Sequence, residues 1–206
     1  MKRTDLSRRS QGQPKSDGFW FVGVLAIGMA VRYAIAPFAS GFGYDIQSFV
    51  DWARILVNEP FKRFYAEAQS PDHLPGDLWF LWAATHLFQF FGGSNLEGTT
   101  FVVVIKSISI LGDACIGILI YATVRQLRSE RAALVAAALY LLNPASIFMS
   151  AVWGQWDSVS VAMVLFALWW FLKADDRWLI GVPFLAWALM IKPQLALLAP
   201  FLLAIP

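Results

Sequence analysis

The sequence predicts an all-α fold: a polytopic membrane helix bundle of about six spans, with two juxtamembrane helices in the first extracytoplasmic loop. Two observations carry the prediction. Hydrophobic residues make up 58% of the 206 positions and charged residues only 15%, with a mean hydropathy of +0.58, a balance that water-soluble domains do not show. The apolar residues also fall into long runs, and continuous helix is the backbone state that satisfies its own polar groups in lipid. The 17 Phe and 10 Trp suit helices that face lipid as well as one another.

Met1 to Asp17 is polar and carries Lys2, Arg3, Arg8, Arg9 and Lys15, and the apolar run Phe19 to Phe38 follows directly. That run matches a hydrocarbon layer of ~30 Å, which a signal-peptide core does not. Residues 1–18 are therefore expected to be a cytoplasmic basic N-terminus, and residues 19–206 a membrane module. Further apolar stretches cover Thr100 to Val124, Ala132 to Val152, Ser158 to Leu172, Trp178 to Ile191 and Gln194 to Pro206.

Asp77 to Phe91 is apolar but holds only fifteen residues. If it spans, the cluster Arg125, Arg128 and Arg131 falls opposite the basic N-terminus and the positive-inside bias is lost. Reading it as an interfacial helix puts that cluster, with Lys173 and Arg177, on the N-terminal side and leaves Arg54, Lys62 and Arg63 outside. The loop from Ala39 to Thr99 is then extracytoplasmic. Within it, Asp45 to Val57 places Phe49, Trp52, Ala53, Leu56 and Val57 at helical spacing, which predicts a second surface helix.

Several chemistries are excluded or disfavoured. Cys115 is the single cysteine, so no intrachain disulfide forms, and with only two histidines no metal site is expected. No GxxxxGK[ST], GxGxxG or HExxH occurs, so no cofactor is called for. The basic residues mark topology, and no nucleic-acid partner is expected.

The candidate residues gather at the extracytoplasmic ends of the spans. Asp45 follows the first span, where a solvated loop aspartate or helix cap is the ordinary reading. Asn143-Pro144 breaks an apolar run that ends in Trp153-Gly154-Gln155-Trp156-Asp157; an aromatic belt explains the tryptophans but not Gln155 and Asp157 between them. Arg32, Lys106, Asp113 and Lys192 lie within or at the edge of apolar runs, where a charge must snorkel, pair or act. Helix-to-helix bonding is the favoured reading for Asp113.

In order along the chain, these features resemble the GT-C glycosyltransferases, polytopic enzymes that use lipid-phosphate-linked sugars. The resemblance rests on Asp45 with Phe49 and Trp52-Ala53, a weakened Pro-rich element at His73-Leu74-Pro75-Gly76, the block from Asn143-Pro144 to Asp157, and Lys192-Pro193-Gln194. It runs from about residue 19 to the end. Family members are usually far longer, so the chain is expected to be the N-terminal catalytic part of a longer protein or a truncated product.

The resemblance implies transfer, with inversion, of a mannose- or glucose-type hexose from a polyprenyl-phosphate donor to a glycan, lipid or protein acceptor at the outer face of a bilayer, most simply a bacterial inner membrane. By the same resemblance, Asp45 would be the general base. Lys192 and Arg32 would hold the donor phosphate, and Trp153, Gln155, Asp157 and Gln194 would bind substrate. The competing readings are a secondary transporter or flippase fragment, whose polar residues would line a path through the bilayer, and a non-catalytic membrane assembly subunit.

Overall fold

The computed structural model describes residues 17–69, 71–171 and 176–198; most of the basic N-terminal segment, Lys173 and the end of the Gln194 to Pro206 run lie outside the described residues. Every regular element among them is helical. Helix α1 covers Asp17–Ile35 and α2 covers Gly43–Asn58. The short α3, Phe64–Glu67, precedes α4, Pro75–Phe90, which opens with proline in its first turn, where its missing N–H costs no bond. Helix α5 runs over Thr99–Leu127 and α6 over Glu130–Leu141, where the Ser129 side chain caps the first turn by accepting from the Ala132 amide at 3.2 Å.

The expectation of six spans is overturned. Among the described residues, only Gly18–Ile35 and Thr99–Leu127 are long and apolar enough to cross a membrane as single helices, and the number rises to three if a bent pair counts as one span. The bent pair is α6 with the stretch Pro144–Trp153, turned by 46°. Its cause is Pro144, which lacks an amide hydrogen and cannot continue the ladder of α6. The chain restarts as α7, Pro144–Ile147, where the Asn143 side chain accepts from the Ala145 amide at 2.9 Å, and then widens into a π-turn over Phe148–Trp153. Asp157–Phe171, here α8, and Arg177–Ile191, which contains α9 (Gly181–Ile191), are shorter apolar helices of the 10–17-residue class. At ~1.5 Å per residue they fall short of a ~30 Å hydrocarbon layer. Gln194 sits in a 3-10 turn, Pro193–Leu198. At 16 residues, α4 is also below crossing length.

Helix α5 is the central post, touching α1, α2, α4, α6, α8 and the π-turn. Among the described residues, two clusters of buried side chains hold the bundle. The smaller joins α1, α5 and α6 through Phe21, Tyr121, Ala133 and Ala137, with Phe21 stacked on Tyr121 at 4.0 Å. The larger lies at the other end of α1, where the inward face of α2 (Phe49, Trp52, Ala53, Leu56) meets Leu78 and Leu81 of α4, Phe101 and Ile105 of α5, and Trp156. The sequence periodicity in α2 thus marks a packing face, and Asp45 lies one turn before Phe49 on that side.

Candidate functional site

The site is built around the corner between the π-turn and α8. Gly154 has φ of +92°, a left-handed conformation that residues with a Cβ rarely adopt, and both its amide and that of Gln155 donate to the Met149 carbonyl, at 3.0 and 3.1 Å. Trp156 is buried, stacks on Phe49 at 4.1 Å with an 8° interplanar angle, and donates its indole N–H to the Ile105 carbonyl at 3.2 Å. It anchors the corner to α2 and α5. Ser109 and Ser158 lace the same corner to α5 through the Gln155 and Ser109 carbonyls.

With Trp156 fixed inward, Trp153 and Gln155 reach Asp45. The indole N–H of Trp153 donates to Asp45 Oδ2 at 2.8 Å, and the Gln155 amide donates to the same oxygen. Asp45 Oδ1 has no hydrogen-bond partner among the described residues, and neither does the buried Gln155 Oε1. Asp157, in the first turn of α8, where the helix dipole favours an anion, pairs with Lys192 Nζ at 3.0 Å, and both side chains remain partly exposed. Lys192 lies there because Pro193 disfavours helical geometry in the residue before it; the chain leaves α9 with Lys192 at φ −133°, ψ 95°. Gln194 is exposed on the turn that follows.

Arg32 lies elsewhere. It is fully buried, and its guanidinium is engaged on all three nitrogens: Nε with Asp113 at 2.8 Å and Ser150 at 3.2 Å, Nη1 with the Gly28 and Leu141 carbonyls at 3.0 and 2.6 Å, and Nη2 with Ser146 at 2.9 Å. Tyr140 donates to the second Asp113 oxygen at 2.6 Å. The logic is local: the ladder of α6 stops at Pro144, the Ala145 amide turns to the Asn143 side chain instead of the Leu141 carbonyl, and Arg32 satisfies that carbonyl. The structure therefore assembles Asp45, Trp153, Gln155, Asp157 and Lys192 around one corner and places Arg32 in the joint behind it.

Sequence reasoning missed one pair. His73 Nδ1 bonds Asp77 Oδ2, with the ring set edgewise against Phe49, Trp52 and Trp156. Asp77 is 1% exposed and its Oδ1 has no hydrogen-bond partner among the described residues. The four-residue spacing across the start of α4 was the available signal. Tyr65 donates to the His73 carbonyl at 3.0 Å, and burial, with the Asp77 carboxylate adding to it, holds its phenol above the ordinary tyrosine value. Among the described residues no group of His, Cys, Asp and Glu could hold a metal.

Comparison with curated proteins and with solved structures found no match. The profile of one protein family, described as dolichyl-phosphate-mannose-protein mannosyltransferase, matches residues 72–205. The stretch includes His73, the Trp153 to Asp157 corner and Lys192, and begins after Asp45. More than half of the chain is covered, and the chain belongs to this mannosyltransferase family, whose GT-C-like character its motifs had suggested.

Proposed function

We propose that the chain transfers a mannose-type hexose from a polyprenyl-phosphate donor to an acceptor hydroxyl on the extracytoplasmic side of a membrane. Asp45 is the general base. The observation that supports this is the asymmetry of its carboxylate: Oδ2 is tied by two donors from the Trp153-Gly154-Gln155 corner, while Oδ1 is left to accept a proton. In the proposed step the acceptor O–H gives its proton to Oδ1, the acceptor oxygen attacks the anomeric carbon from the side opposite the phosphate, and the bond from that carbon to the phosphate oxygen breaks. The lipid phosphate departs with the electron pair, and the configuration inverts. Lys192 stabilises that charge, exchanging its Asp157 partner for phosphate. Asp157, once released, Trp153, Gln155 and Gln194 orient sugar or acceptor hydroxyls. Arg32 supports the corner from behind.

The test is transfer of labelled mannose from polyprenyl-phosphate mannose by the protein in proteoliposomes. Asp45→Asn should preserve membrane insertion and donor binding while lowering turnover by ~100-fold or more, the scale of a lost general base. Turnover near that of the unsubstituted protein would remove Asp45 as base and make Asp157 the carboxylate to test.

A further inference from the structure

Lys106 is a buried cation that the proposed chemistry does not use. It lies about two turns into α5 with no exposure, and among the described residues its ammonium makes no ion pair. It donates instead to two backbone carbonyls, Ala36 at 3.1 Å and Ala39. Both belong to the turn leaving α1, where the last carbonyls lack intrahelical partners and carry the negative end of the helix dipole. A lysine near a helix end often supplies such a cap from its own helix; here it comes from another helix, 70 residues along the chain at Ala36.

The same turn is in contact with the functional corner. Just beyond Ala39 and Ser40 the chain passes through Gly41, at φ +81°, where a Cβ would stand 3.0 Å from the Trp153 carbonyl. The amide of Phe42 donates to that carbonyl at 3.3 Å. On its other side the corner rests on the lysine: a Cβ on Gly154 would lie 3.4 Å from Lys106 Cγ and 3.7 Å from Lys106 Cε. One side chain therefore fixes the connection that starts α2, and with it Asp45, while its stem backs the glycine between Trp153 and Gln155.

We infer that Lys106 is a positioning residue that sets the register between the turn carrying Asp45 and the corner supplying its two hydrogen-bond donors. The kinetic part of this inference rests on reading Asp45 as the base; the positional part does not. A charge in this place costs free energy that an apolar residue would avoid, and the two carbonyls it satisfies offset that cost.

The experiment uses the full chain in nanodiscs with its tryptophans replaced by fluorotryptophan and observed by fluorine NMR. Trp153 is assigned by Trp153→Phe, and its dependence on the carboxylate by Asp45→Asn. Lys106→Met keeps the unbranched stem and removes the donors; Lys106→Gln retains two donors and guards against failure of the first variant to fold. In Lys106→Met the Trp153 resonance should move toward its Asp45→Asn position while the buried Trp156 resonance stays in place. Mannose transfer should fall ~10- to 100-fold in kcat with donor KM little changed, the scale of a small misplacement of a catalytic group, and Lys106→Gln should recover part of both. If Trp153 responds but the unsubstituted protein transfers no mannose, the positioning role stands and the transferase reading fails. Folded Lys106→Met with an unmoved Trp153 resonance overturns the inference, as does loss of folding in both variants, which would make Lys106 a requirement of the bundle alone.

Discussion

Replacing Arg32 by methionine removes a guanidinium that makes five hydrogen bonds inside the bundle, one of them an ion pair with Asp113. Two costs dominate. Asp113, 2% exposed, keeps only the Tyr140 hydroxyl among the described residues, and the Leu141 carbonyl, left free where α6 stops, loses the donor that satisfies it. Breaking one side of a buried pair costs ~3–5 kcal/mol in soluble proteins, whereas polar contacts between membrane helices average nearer ~0.6 kcal/mol. Arg32→Met should fall between these limits, at ~2–4 kcal/mol, because the residue serves several acceptors at once. Asp113→Asn should cost less, since an amide still offers Tyr140 an acceptor. In the double variant no lone charge remains, so the losses should be less than additive by ~1–2 kcal/mol, within the range found for directly coupled residues. Reversible unfolding of all four proteins in mixed micelles, assembled as a double-mutant cycle, measures this term. Coupling below ~0.3 kcal/mol, the scatter expected of independent sites, would refute the claim that the pair is one unit holding the broken helix.

Lys192→Ala should weaken binding of polyprenyl phosphate as well as the rate, because the phosphate charge is present before and after transfer; titration of the lipid into nanodiscs reads the first effect independently of the second. Gly76→Ala should destabilise by ~1–3 kcal/mol through overpacking, since its Cβ would stand 2.6 Å from the Met190 carbonyl group and 2.9 Å from the Ile191 amide nitrogen. An alanine variant with unchanged unfolding would show that α4 and α9 are not in backbone contact.

Which parts of this architecture were legible in the sequence follows from the range of the interactions. Helix α5 reads directly because Lys106 and Asp113 are too few to break its long apolar run and no proline interrupts it, and α2 reads from its spacing of Phe49, Trp52, Ala53 and Leu56. Hydropathy alone turned Ala132 to Val152 into one span, because the run's composition outweighed the break at Pro144, and it counted α8 and α9 as spans although their helical lengths fall short. The Trp153 to Asp157 block was visible as a motif. The resemblance grouped Asp45 with it, but the direct bonds were not visible, because Asp45 lies 108 residues from Trp153, and neither was the pairing of Asp113 with Arg32, 81 residues apart. Arg32 could therefore be read as a phosphate ligand, since an isolated arginine at a span edge looks the same in sequence whether it faces substrate or carbonyls. Only the four-residue step from His73 to Asp77 was local enough to have been found.

The separation between Arg32 and its partners also sets an order of events during synthesis. Helix α1 emerges before α5 and α6, and its arginine must wait for Asp113, 81 residues later, and for the Leu141 carbonyl, 109 residues later. At ~5–20 residues per second the first interval is ~4–16 s, long compared with the time a membrane helix needs to adjust. During it the guanidinium has no fixed ligand and will seek the nearer interface, so α1 begins at one depth and settles at another when α5 and α6 arrive. Crosslinking of arrested nascent chains ending before and after Asp113 should place Arg32 in two environments, and a single environment at both lengths would show that α1 is seated without its partners.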